Sequence, residues 1–99
     1  MAFLRDKARA LGTAAMMVDA LKKLASDRVV SHWELGTEDR EAPGGAVTIH
    51  VFRVFLVHWD DHAARELSDR FRELQSPHCP HPPVIHDGAA HPHITVPLG

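Results

Sequence analysis

Apolar residues recur at three- and four-residue steps from residue 2 to residue 26, with Leu4, Ala8, Leu11, Ala14, Ala15, Val18, Leu21 and Ala25 on one stripe that Met17 and Leu24 widen. That period predicts a long amphipathic helix. Gly12 is a mild weakness within it, costing on the order of 1 kcal/mol relative to alanine. Met16 and Met17 are read as core packing rather than as an adaptable partner-binding face. The period then changes to two. Val29, Trp33 and Leu35 alternate with His32 and Glu34, and Gly36 closes a strand predicted over 28–35. Residues 37–45 are polar and acidic and end in Pro43-Gly44-Gly45, which predicts a loop.

The strongest strand pattern covers 46–59. Val47, Ile49, Val51, Phe55, Val57 and Trp59 share a face with Arg53, while Thr48, His50, Phe52, Val54, Leu56 and His58 share the other. Apolar side chains on both faces over 51–57 imply a central strand, covered by the chain on both sides or by an oligomeric partner on one. Two helices can hardly cover both faces. Asp60 and Asp61 suit a helix start. Ala63, Ala64, Leu67, Phe71 and Leu74 then mark the buried stripe of a helix over 61–75, with Arg65–Asp69 and Glu66–Arg70 paired outside and Ser76-Pro77 as the stop. Val84-Ile85-His86 forms a short strand, Asp87-Gly88 a tight turn, and His91–Val96 a returning strand that Pro92 and Pro97 confine to an edge. The order predicts one α+β domain over 1–99, a two-layer sandwich of helix-strand-strand-helix and a short C-terminal strand pair in an antiparallel sheet.

Composition narrows the class. A hydrophobic share of 44% with 24% charged residues excludes a disordered chain, and no run of eighteen apolar residues is present to span a membrane. No signal-peptide pattern opens the chain, and one cysteine cannot form an internal disulfide, so the cytoplasm is expected. The formal charge of -2 divides into +3 over residues 1–28 and -5 over the rest. The basic stretch reads as a solvated helix face. Nucleic acid is not an expected partner, since no recognition motif occurs and the aromatic residues sit at core positions.

The chemistry concentrates near the C-terminus, where His78, Cys79, His81, His86, His91 and His93 fall among Pro77, Pro80, Pro82, Pro83 and Pro92. Imidazole and thiolate hold zinc, copper and nickel. His91 and His93, two apart on a strand, would face the same way, and His78, Cys79 and His81 could approach from the loop. The candidate metal ligands are therefore His78, Cys79, His81, His91 and His93, for zinc or another divalent transition metal. The spacing matches no finger, ribbon or His-Glu-x-x-His pattern. The competing reading is a set of independent structural histidines in a proline-rich loop. His32, His50 and His58 would form a second ring cluster if the register put them on one face.

The segments His32-Trp33-Glu34-Leu35, the strand ending at Trp59, the helix 61–75, His78-Cys79-Pro80 and His93-Ile94-Thr95-Val96 together resemble the pterin-4a-carbinolamine dehydratase family over about residues 20–98. That resemblance implies a small α+β fold and a hydro-lyase in which paired histidines hold the pterin and move protons. Only His78 carries over, because Cys79 replaces the second histidine, and the chain ends at Gly99 before the family's third histidine and closing helix would appear. The loop joining the first two strands is also longer than in the family.

Three function classes follow: a small soluble binding or assembly domain whose His/Cys cluster holds a divalent transition metal, a non-catalytic subunit of a symmetric oligomer or virion-like assembly, and a pterin-dehydratase-like hydro-lyase. No catalytic set is legible, and a homo-oligomer or larger protein assembly is the expected partner.

Overall fold

The computed structural model describes residues 2–75, 77 and 79–98, with side chains from residue 12 onward. The helical period becomes α1 (Ala2–Ser26), and the alternating segments become β1 (Val30–Ala42) and β2 (Gly45–Leu56). After them come α2 (Asp61–Leu74), β3 (Val84–His86) and β4 (His93–Leu98). The strands form one sheet in the order β1-β2-β4-β3, with every neighbouring pair antiparallel. The expected α+β architecture with its helix-strand-strand-helix order is the one the chain adopts.

α1 stops through its backbone. Arg28 takes φ 60°, the Arg28 N–H donates to the Ala25 carbonyl at 3.1 Å, and the Val29 N–H donates to the Leu24 carbonyl at 2.9 Å. These two bonds close a Schellman motif with Arg28 at its left-handed position, normally a glycine position because a Cβ crowds the backbone there. The motif delays the first strand, so Val30, not Val29, enters the core. A register shift between Val30 and His32 then sets Trp33 opposite Val54 on the helix-covered face.

The expected loop at 37–45 is a strand. Residues 37–42 pair with 45–50, and only Pro43 and Gly44 lie between the paired Ala42 and Gly45. Gly44 has φ +93°, the conformation that a type II turn demands of its third residue, with proline before it. Backbone pairing with the apolar strand and the turn chemistry outweigh the polar composition, which reflects a ribbon lying outside the helix layer. Thr48 donates to Asp39 across the strands at 2.8 Å, and Arg40 pairs with Glu38 at 2.9 Å. Charged side chains along this edge strand also discourage its pairing with another chain.

α2 begins at an Asp60 N-cap whose carboxylate accepts from the His62 N–H. On its outer face His62 pairs with Glu66 at 3.0 Å. Among the described residues the expected Arg65–Asp69 and Glu66–Arg70 pairs do not close, since these exposed side chains gain little in water. Both helices lie on one face of the sheet. Met17 and Leu21 from α1, and Ala64, Leu67 and Phe71 from α2, pack with Val30, Phe52, Val54, Ile94, Val96 and Leu98. The shortest dimension of the molecule, 19 Å, fits one helix layer on one sheet and leaves no room for a second.

β4 is not the edge strand that its prolines predict. It lies between β2 and β3, and Pro97 pairs with Val51. The Pro97 carbonyl accepts from Gln75 Nε2 at 2.7 Å, away from β2, and in an antiparallel strand a residue's N–H site and carbonyl point to the same side. Its missing N–H therefore faces the stretch beyond the end of β3, where no strand bond is lost. Replacing Arg28 with glycine should stabilise the fold by about 0.5–1 kcal/mol by relieving the left-handed strain. Urea unfolding of Arg28→Gly measures it, and an unchanged or lower midpoint would count against the motif.

Candidate functional site

The uncovered face of the sheet carries the odd-numbered side chains of β2, with their cross-strand neighbours. One row runs through all four strands: His32 on β1, Phe55 on β2, His93 on β4 and His86 on β3. His32 and Phe55 stack at 4.4 Å between centroids with 7° between planes, Phe55 meets His93 at 5.3 Å, and His93 stacks on His86 at 4.7 Å and 26°. Cross-strand placement explains the row, because residues opposite one another on adjacent strands bring their side chains within ring-contact range.

Hydrogen bonds fix one imidazole. His93 Nδ1 lies 2.9 Å from the His91 carbonyl oxygen. A carbonyl only accepts, so Nδ1 carries the proton, and in the neutral ring the Nε2 lone pair is available. The same pattern orients metal-ligating histidines, whose second nitrogen donates to a carbonyl or carboxylate.

Below the ring row, Thr95 lies in register between Arg53 and Val84. It is 0% exposed, and its Oγ1 has no hydrogen-bond partner among the described residues. Arg53 reaches the other way, over Gly36, where a Cβ would run into its Nη1, and its Nη2 donates to the Thr37 carbonyl at 3.4 Å and approaches Glu38 at 3.9 Å. An unpaired buried hydroxyl costs about 1–3 kcal/mol. Thr95→Val keeps the shape and removes that cost, so thermal unfolding should show a gain of roughly 1 kcal/mol; a loss would mean the hydroxyl is satisfied in solution.

The residues expected to converge on one ion are dispersed. His78 lies outside the described residues. Cys79 is buried at 2% exposure, and its thiol donates to the His81 carbonyl at 3.4 Å, so it is packed as a small apolar group. His81 is half-buried in the proline loop, and its carbonyl also accepts from Gln75 Nε2 at 3.0 Å. His91 is exposed and precedes β4, so it does not share a strand face with His93. Among the described residues no group of three or more histidine, cysteine, aspartate or glutamate side chains is placed to hold a metal. Nor do His32, His50 and His58 cluster. His50 pairs with Thr37 on the opposite face from His32, and His58 follows the end of β2.

Gln75 has no motif to announce it. Buried at the end of α2, it donates to the Pro97 and His81 carbonyls, and its Oε1 accepts from Arg72, which also donates to the Cys79 carbonyl at 3.2 Å. These bonds tie the proline loop to the helix and to β4. The one available sequence signal was a glutamine just past an apolar helix stripe, before proline. Gln75→Ala would strand two carbonyls and should cost about 2–4 kcal/mol, measured by chemical denaturation; a cost under about 0.5 kcal/mol would show that water replaces the amide.

No protein-family description, curated protein or solved structure matches this chain.

Proposed function

We propose that the protein is a small binding domain that holds a divalent transition metal on the uncovered face of its sheet, with His86 and His93 as ligands. The observation that supports this most directly is the cross-strand imidazole pair, one member of which has Nδ1 engaged and Nε2 left to coordinate. With metal–nitrogen bonds of about 2.0 Å, two imidazoles on a tetrahedral ion have centroids about 5 Å apart, close to the 4.7 Å between these rings. The rings are stacked, so their in-plane lone pairs run side by side. Coordination requires the His86 ring to swing out of the stack, a soft motion about χ2, because the bond to the His91 carbonyl holds His93. Neutral imidazole suits zinc, copper and nickel better than magnesium or calcium. The reading agrees with a cytoplasmic protein whose lone thiol stays reduced.

Compared with the ligand set expected from the sequence, this reading retains His93 and brings in His86. Cys79 and His81 supply no ligand, and His91 contributes only the carbonyl that accepts from His93 Nδ1. The hydro-lyase alternative rests on His78 and on the family resemblance, and the ring row adds nothing to it.

Zinc titration by calorimetry tests the proposal. Wild-type protein at pH 7.5 should bind at least tenfold more tightly than the His86→Ala/His93→Ala double variant, a difference of about 1.4 kcal/mol or more. Affinity should also fall at pH 5.5, because a protonated imidazole has no lone pair to give. Equal heats for the two proteins would remove His86 and His93 from the site.

A further inference from the structure

We infer that the metal site is shared by two copies of this chain, each contributing His86 and His93 across a two-fold axis that passes through the ion. The inference rests on the metal reading above and concerns how the coordination sphere is completed.

Ligand number is the first argument. A structural zinc is held by four protein groups in a tetrahedron. One chain places two imidazoles together, and among its described residues no third histidine, cysteine, aspartate or glutamate joins them. Half a site on one chain becomes a whole one on two, and a two-fold axis is the commonest symmetry that doubles a ligand set.

The surface around the pair suits such an approach. Both helices pack on the opposite face, and the side chains of His86 and His93 stay partly exposed. His86 belongs to β3, an outer strand of the sheet, which leaves the pair open from the side as well. The same face presents Val47 at 44% and Val84 at 37% exposure, together with the Phe55 ring. These apolar groups are partly exposed, while Val51, Thr95 and Pro97 on the same face are buried. Charge does not oppose the contact. Glu34 and Glu38 on this face are balanced by Arg40 and Arg53, and two of these already pair with Glu38 within the chain. These four side chains therefore bring no net like charge to the contact.

The ion would be the element that decides association. A sheet face of mixed polar and apolar side chains associates weakly by itself, whereas metal bonds shared between chains add affinity only in the dimer. Mass action then couples metal occupancy to the monomer–dimer balance.

Sedimentation equilibrium with zinc, run beside calorimetric stoichiometry on the full chain, tests this. With chelator present the mass should be that of one 11.0 kDa chain. With zinc it should double at half an equivalent of metal per chain. His86→Ala/His93→Ala should remain monomeric with zinc at concentrations at least tenfold above those that dimerise wild type. His86→Gln/His93→Gln repeats the test with polar side chains, and circular dichroism confirms that both variants fold. Cobalt in place of zinc gives a direct view of geometry, with the intense visible bands of a tetrahedral site expected only in the dimer. One zinc per chain on a protein of monomer mass would overturn the shared site while leaving the metal reading intact. Absence of zinc binding would overturn both. A dimer that persists in chelator and in both double variants would overturn the inference by showing that the contact does not need the ion.

Discussion

Two helices can cover one face of a four-stranded sheet and no more, and most of this structure follows from that limit. The core is the slab between the helices and the even-numbered side chains of β2 and β4, with Phe71, Met17 and Leu21 filling it. Burying a side chain of that size contributes roughly 1.5–3 kcal/mol, so the helix-covered face carries most of the apolar stabilisation. The other face is left to cross-strand contacts. Val51 and Thr95 are fully buried there, and the rings of His32, Phe55, His93 and His86 line up over the sheet.

The proline-rich segment between α2 and β3 is held by hydrogen bonds to its backbone. Gln75 and Arg72 supply donors to the carbonyls of Cys79, His81 and Pro97, which a segment with so few N–H groups of its own could not satisfy by strand or helix pairing. Because Gln75 also reaches β4, the position of β4 between β2 and β3 is coupled to the end of α2. The imidazole pair, at the start of β4 and the end of β3, inherits its geometry from that arrangement.

The elements were legible in the chain where a face is buried. The three- and four-residue steps before Ser26 and from Asp61 to Leu74 read as helices, since a stripe must face a core. Residues 37–42 were not legible, because a ribbon outside the helix layer has no apolar face to betray its period. The two-sided pattern of β2 indicated a central strand, and β2 lies between β1 and β4. The ring row was hidden by register. With a two-residue turn at Asp87-Gly88, His86 would have faced Ala89; the connecting loop instead spans residues 87–92, and His86 faces His93. His91 shares the alternation of His93 and reads as a strand residue, yet it precedes β4 and its carbonyl is the acceptor that orients the His93 ring.

By itself the sequence determined both helices and the central strand, that the fold is two-layer α+β, and that imidazoles crowd its C-terminal third. These properties come from local periodicity and composition, which act over a few residues. Tertiary structure decided that β4 enters the sheet beside β2, that Cys79 turns inward, and that His32, Phe55, His93 and His86 meet in one line. Those outcomes depend on strand order and register. Both are set by contacts between residues far apart in the chain, which no local pattern encodes.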